Sequence, residues 1–404
     1  MSSPQADIVH QVRRGVRLWR TSGRRETAQR VARAAYHRLD AFSLEFPLLL
    51  DDVADSRQLD LPVPSRRPER GQSLRVGFVS TPPGRGSGGH TTMFRMVTAL
   101  EAAGHRCTIF LYDRYGGNLA DHEATIRSGW PSVRARVRDV RQGITGIDAC
   151  VASSWQTAHV LARHATEPMR RLYFVQDFEP LFYPQGAEYA FAEDSYRFGF
   201  RCIVIGHRLA QVLHAEIGVR ADVVEFGCDT DIYRLRPAEP RDGVVFYSKP
   251  RAARRGFMLG VLALQEMHRR RPEAPIHMVG DADARVPFPA VVHGTITPQQ
   301  LSDLYNRARA GLALSFTNVT LLAEEFLACG TVPVLNLSPY VTTADVRSDH
   351  VCWAPPTPSG IADELVAVLD SPPDPVAVAE TAHSEGWGPA QVAFVRALEE
   401  ETYG

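Results

Sequence analysis

The 404-residue chain is 44% apolar and carries 45 Lys and Arg against 46 Asp and Glu, a net charge of −1. Wholesale disorder is excluded, and no global field points toward nucleic acid or an acidic substrate. The length suits two α/β domains with an appendage.

Residues 1–40 hold nine Arg against three acidic residues. Apolar positions Ile8, Val9, Val12, Val16 and Trp19, then Ala28, Val31, Ala32, Ala35 and Leu39, recur at helical spacing. Two amphipathic helices are predicted, broken near Thr21-Ser22-Gly23. They form either an extension packed on its own domain with Arg outward, or a basic surface lying on an anionic membrane. Residues 55–73 are rich in Pro and Arg and read as a linker, so 1–73 is taken as extension plus linker.

From residue 74 the pattern changes. Buried strands are predicted at 74–80, 107–113, 147–153, 172–176, 201–206 and 221–226, with helical stretches between several of them. RPAEPRDG (236–243) reads as a second linker. Strands then restart at 244–248, 275–280, 290–294, 310–315, 331–336 and 350–354. Alternation of this kind gives two α/β domains, 74–238 and 239–385, each built on a parallel sheet, facing each other across a cleft. A terminal helix in 386–404 is expected to pack back on the first domain. The six cysteines stand singly, without metal spacing, which suits a reducing cytosol. No signal peptide is visible, and no apolar run approaches the roughly 18–20 residues that span a bilayer.

The most informative stretch is SFTNVTLLAEEFLACGTVPVLN (315–336): strand, polar turn, short acidic helix, Cys-Gly stop, strand. Thr317, Asn318 and Thr320 are candidate caps. With Val319 they form a helix mouth whose N–H groups suit an anion. On a helical wheel Glu325 falls inside the apolar arc of Leu322, Phe326 and Cys329, whereas Glu324 falls outside it. A carboxylate on a packed face needs a partner or ligand, so Glu325 is the functional candidate. YSKPRAARRG (247–256) sets Lys249, Arg251, Arg254 and Arg255 around a strand-to-helix turn. Fixed cations there would stabilise a departing diphosphate.

GRGSGGH (84–90) places Gly84, Gly86, Gly88 and Gly89 between a strand and a helix that His90 opens. With Asp113 it superficially meets a dinucleotide fingerprint, but Pro82-Pro83 separates strand from glycines, so a loop closing over a sugar suits it better. YFVQDFEPLFYP (173–184) offers aromatic faces for a sugar, and Asp177 and Glu179 as hydroxyl ligands or a base. Asp177, Glu179 and His90 make the candidate catalytic set. GDAD (280–283) reads as a turn rather than a metal motif. His207 and His293 lack partners at ligand spacing.

Taken together these residues resemble GT-B glycosyltransferases, in particular the retaining branch that builds bacterial polysaccharides. FGCDTDIYRL (226–235) is similar to that branch's Asn-Gly-Val-Asp-x-x-x-Phe signature. EEFLACGTVPV (324–334) is similar to its Glu-Ala-x-Ala-Cys-Gly-x-Pro-Val signature. Lys249 and Arg255-Gly256 fall where the family binds the donor diphosphate, and Gly88-Gly89 match its glycine loop. The VQDFEP segment resembles rhamnosyltransferases of surface-glycan and S-layer-glycan assembly, which use dTDP-β-L-rhamnose.

The resemblance implies an α/β GT-B fold of two Rossmann-like domains, covering about residues 74–385. Glu325 would bind the donor ribose. Lys249, Arg251 and Arg255 would hold the diphosphate, with Thr317, Asn318, Val319 and Thr320 capping it. It also implies retention of configuration, no metal or other cofactor, and a glycan or lipid-linked glycan acceptor. Nucleic acid is not expected as a partner. The expected location is cytoplasmic, with a peripheral contact on the inner face of the membrane through the basic N-terminus. Thr317 stands where the family often has a first Glu, eight positions before the second. A GT-B nucleotide-sugar-binding module without turnover, and an NAD-dependent enzyme using Gly84, Gly86, Gly89 and Asp113, are the alternatives.

Overall fold

A computed structural model describes residues 26, 28–84, 86–236, 240–318, 321–341, 346, 348–382 and 385–404. The chain divides into two compact units, Met1–Asp51 and Asp52–Gly404. In the smaller unit residues 28–38 are helical, and a 3-10 turn follows at Ala41–Leu44. Val31 and Leu39 are exposed. The helix predicted over 8–19 lies outside the described residues.

The larger unit contains two wholly parallel sheets. The first holds β1 (Arg75–Ser80), β2 (Arg106–Leu111), β3 (Arg136–Asp139), β4 (Ala149–Ala152), β5 (Arg170–Val175), β6 (Arg201–Ile205) and β7 (Ala221–Val224), in the order β3-β2-β1-β4-β5-β6-β7. The second holds β8 (Val244–Tyr247), β9 (Ile276–Val279), β10 (Val291–Gly294), β11 (Ala310–Ala313), β12 (Val332–Asn336) and β13 (Cys352–Ala354), in the order β10-β9-β8-β11-β12-β13. Both orders reverse once, between β1 and β4 and between β8 and β11. Ligands of open parallel sheets bind at such reversals, where loops from adjacent strands splay apart.

Central strands are nearly continuous apolar runs because helices cover both faces. Phe78 of β1 pairs in register with Ile109 and Val151 and is fully buried. In the second sheet a Cβ on Gly311 would sit 2.5 Å from the Phe326 ring, so only glycine lets that helix approach β11. Phe326 in turn meets Tyr305 edge-on at 4.5 Å.

β3 escaped the sequence reading. Its four residues, RVRD, include three charged side chains, which an edge strand tolerates and a buried one does not. Residues 55–73 are also more than a linker. Pro62 O accepts from Arg171 Nη1 at 2.8 Å, and Ser56 donates to Asp194 through its N–H at 3.0 Å and its hydroxyl at 2.6 Å. Ala54 and Asp52, just before them, are fixed in the same way. The Ala54 N–H donates to His159 Nδ1 at 3.0 Å, and Asp52 accepts from Tyr112 and His164 at 2.7 Å each. This coil is therefore stitched onto the first sheet's helices.

The chain crosses between domains twice. After β7 it enters the second domain, and beyond residue 385 it returns as the helix Gly388–Tyr403, which packs on the first sheet. Phe394 on that helix is fully buried, 6.3 Å from the Phe78 ring and 5.1 Å from Phe174. The two crossings touch: a Cβ on Gly227 would lie 2.5 Å from Gly386 O. No described helix is long and apolar enough to cross a membrane. Truncating Phe394 to Ala should cost about 3–5 kcal/mol of stability, read as a lowered midpoint in urea denaturation.

Candidate functional site

The reversal between β8 and β11 puts two loops side by side: residues 248–256 after β8 and 314–318 after β11. They are bonded together. Phe316 N–H donates to Arg254 O at 3.0 Å, and Arg255 Nη1 donates to Ser315 Oγ at 3.0 Å. Asn336, at the end of β12, braces Ser315 by accepting from its N–H at 2.7 Å and donating to its carbonyl at 2.8 Å. Gly256 closes the cationic turn in the left-handed region at φ 57°, with Leu314 and Phe316 directly against it.

Four cations were read in this turn, and they separate. Arg255 turns inward to Ser315, and burial pulls its guanidinium pKa down against the opposing charge of Asp177. Arg254 lies flat on the Phe182 ring, 3.9 Å from its centroid, with Nε 3.7 Å from Asp177 Oδ2. Lys249 is half-buried with Nζ 5.1 Å over Tyr247. Arg251 is exposed.

The acidic helix is short, Leu322–Ala328, and no side chain caps it. Thr317 and Asn318 do not act as caps because both reach across the cleft. Thr317 Oγ1 donates to Asp177 Oδ2 at 2.9 Å, and Asn318 Nδ2 donates to Gln176 O at 3.1 Å. Val319 and Thr320 lie outside the described residues. The helix ends where Gly330 takes φ 71°, the left-handed stop read from Cys-Gly.

Glu325 behaves as the sequence pattern demands. Its Oε2 is buried and has no hydrogen-bond partner among the described residues. Burial pushes its carboxyl pKa up to about 8; nearby Asp229 adds to the rise and Arg95 opposes it. Asp229, from the 226–235 signature, pairs with Arg95 of the first domain at 2.6 Å. The carboxyl therefore lies close to the interdomain crossing.

On the first-domain side the glycine loop occupies residues 81–87, ahead of the helix Gly88–Ala102, with Arg85 outside the described residues. Gly84 is open to solvent, and a Cβ on Gly89 would come within 3.7 Å of Gln176 Oε1, an ordinary contact. His90 is not free to move protons. Its Nε2–H donates to Thr81 O at 3.1 Å, because a carbonyl can only accept, leaving Nδ1 to accept from Ser87 Oγ at 2.8 Å. Burial lowers its pKa, against that carbonyl bond. His90 staples the loop.

Asp177 and Glu179 part company as well. Glu179 turns into the first domain, where its carboxylate accepts from Trp155 N–H at 2.5 Å and Tyr173 Oη at 3.3 Å. Burial raises its pKa to about 8. It anchors a helix N-terminus and does not reach the turn after β8. Asp177 is equally buried, but Oδ2 faces the second domain. Burial raises its pKa, and Arg255, Arg254 and the Thr317 hydroxyl oppose the rise.

Asp113 does not present a carboxylate to a ribose as a dinucleotide fold requires. It is consumed by His122 and by the N–H groups of Tyr115 and Gly117, each at 2.8 Å. GDAD is a turn in which Asp281 Oδ1 accepts from Asp283 N–H at 2.8 Å. His207 meets Glu225 at 2.7 Å, and His293, read as unpartnered, meets His277 on the adjacent strand at 2.9 Å. Among the described residues no group of three or more His, Cys, Asp or Glu could hold a metal ion. Gln176, Phe182, Ser315 and Asn336 went unread as site residues. Only the Gln176-Asp177 adjacency in VQDFEP offered a signal.

Residues 242–366 match the family model described as WsaF, C-terminal domain, and residues 136–207 match WsaF, N-terminal domain. The chain is 29% identical to the O-antigen biosynthesis protein RfbC of Myxococcus xanthus, over 68% of its own length and 22% of RfbC. It thus spans about a fifth of the length of that curated relative. Among solved structures, Anabaena HepE in complex with UDP aligns with a TM-score of 0.60 at 13% identity, covering 81% of this chain and 99% of HepE. Sucrose-phosphate synthase of Thermosynechococcus elongatus aligns at 0.57 and 13%, covering 80% and 94%. At such identities the likeness is one of fold, and the fold is GT-B. The fold expected from the two signatures is borne out: two parallel-sheet α/β domains of the GT-B type, with residues 136–207 and 242–366 similar to the two WsaF domains.

Glu325 offers a direct check on its surroundings. Its folded pKa is raised, so its contribution to stability is full below about 4.5 and is lost as pH climbs through about 8. In Glu325→Gln that slope should vanish. The Tm of wild type should fall relative to the variant between pH 5 and pH 9, in parallel calorimetric scans.

Proposed function

We propose that this chain is a sugar-nucleotide-dependent glycosyltransferase of bacterial surface-polysaccharide assembly. The observation that carries the reading is the bonded pair of loops after β8 and β11, which sets Arg255 on Ser315 and brings Arg254 and Thr317 to the same carboxylate oxygen of Asp177. A nucleoside diphosphate gains charge as it leaves, and preorganised cations in a shielded crevice stabilise that change without reorganising. Fixed guanidinium and ammonium groups can fill the charge role a metal ion fills elsewhere, so no metal is required in this reading. The unpartnered Oε2 of Glu325 suits a ribose hydroxyl, which would satisfy a polar atom costly to leave bare. HepE, similar in fold, is described in complex with UDP.

Within that reading the donor is dTDP-β-L-rhamnose and the acceptor a growing surface glycan. The VQDFEP segment, which resembles rhamnosyltransferases of surface-glycan assembly, supports the sugar, and it lies within the residues matched by the WsaF N-terminal domain. The anomeric configuration is retained. The acceptor hydroxyl attacks the face the diphosphate leaves, and a phosphate oxygen takes its proton. An inverting route would need a free carboxylate base. Glu179 is engaged inside the first domain, which leaves Asp177 as the sole alternative among the two carboxylates considered. A binding module without turnover is the second reading, favoured by Thr317 at the family's first Glu position.

At pH 9, where the Glu325 carboxyl is ionised, Lys249→Ala and Glu325→Ala should each weaken dTDP binding about tenfold to a hundredfold, since a hydrogen bond to a charged group is worth roughly 1.5–3 kcal/mol. Titration calorimetry giving wild-type affinity in both variants would refute the donor site. NMR of the product should show the donor's anomeric configuration; an inverted centre would instead implicate Asp177 as base. Donor binding with no transfer to glycan or water would favour the binding module.

A further inference from the structure

Segment 176–182, following β5, touches the donor loops at four points. Gln176 O accepts from Asn318 Nδ2 at 3.1 Å, and Asp177 Oδ2 accepts from Thr317 Oγ1 at 2.9 Å. Arg254 Nε stands 3.7 Å from that same oxygen, and the Arg254 guanidinium lies 3.9 Å over Phe182. Gln176 also donates through Nε2 to Gly89 O at 3.1 Å, so the first turn of the helix behind the glycine loop is held by the same residue.

Adjacent arginines thus divide between domains. Arg255 bonds to Ser315 of its own domain. Arg254, whose carbonyl is bonded to Phe316, sends its side chain to the first domain, and its buried Nε has no hydrogen-bond partner among the described residues. A guanidinium on a ring face with a carboxylate at its edge keeps its charge while losing its freedom. Because Arg254 and Arg255 are consecutive, fixing one side chain fixes the backbone that aims the other.

We propose that Arg254 is a positioning residue for the donor diphosphate, and that Phe182 and Asp177 of the first domain hold it in place. The proposal rests on the reading of turn 249–256 as the diphosphate site. The second domain then carries the cations, and the first domain sets their aim, so diphosphate affinity reports whether the cleft is closed.

The test uses the full chain with dTDP and thymidine as probes, dTDP by calorimetry and the weaker thymidine by NMR titration. Phe182→Leu removes the ring face from the far side of the cleft, and Arg254→Lys keeps the charge without the plane. Each should weaken dTDP binding about three- to tenfold. Thymidine, which lacks the phosphates, should bind unchanged. The double variant should be no weaker than the worse single, because both remove one contact, and Phe182→Tyr should retain affinity. Unchanged dTDP affinity in both single variants, equal losses for thymidine, or additive losses in the double variant would each overturn the proposal. Wild-type protein that binds neither dTDP nor UDP would overturn the donor-site reading itself, and this proposal with it.

Discussion

Everything at the cleft follows from one constraint: a parallel sheet whose strand order reverses must open a gap between two adjacent strands. Here the gap lies between β8 and β11, separated by more than sixty residues of chain yet paired in register from Val244 and Ala310. The segments that follow those strands flank the gap, and here two hydrogen bonds tie them to each other. The turn after β8 carries the cations, and the loop after β11 carries Ser315, Thr317 and Asn318. Asn336, one strand further on, locks Ser315 with two hydrogen bonds. The pairing is backbone geometry first and side-chain chemistry second.

Charge burial is the cost of such a site, and three carboxyl groups meet it in three ways. Glu179 accepts hydrogen bonds within its own domain. Asp177 leans on arginines and a hydroxyl across the cleft. Glu325 has an oxygen with no hydrogen-bond partner among the described residues, close to an Asp–Arg pair. A buried polar atom left bare is expensive, and proteins keep one where a ligand completes it.

Much of this was legible in the sequence because apolar runs alternate with helical spacing, and because glycine and charge punctuate strand ends. Both sheets, the cationic turn and the unusual position of Glu325 could be read that way. β3 could not, since an edge strand of alternating arginines has no apolar signature. Residues 55–73 looked like linker because Pro-rich coil reads alike whether loose or stitched down. The roles of His90, Asp177 and Glu179 were beyond reach as well. Which way a side chain turns from a loop depends on how the backbone brings its neighbours round, whether they are near in sequence, as Thr81 and Ser87 are for His90, or far, as Trp155 is for Glu179 and Thr317 and Arg254 are for Asp177.

The Gly227–Gly386 contact has a mechanical meaning. A domain joined to its neighbour by a single strand can swivel in any direction, like a weight on a string. This second domain is pinned at both its entry and its exit, and the two pins lie against each other with no room for a methyl group between them. Free tumbling is thereby reduced to a rotation about that junction, as a door turns on closely spaced hinges. Asp229, two residues past Gly227, and its partner Arg95, which lies over Trp387, stand beside that junction, whereas Arg254 on Phe182 is a separate contact between the domains, a latch that any such turn has to release.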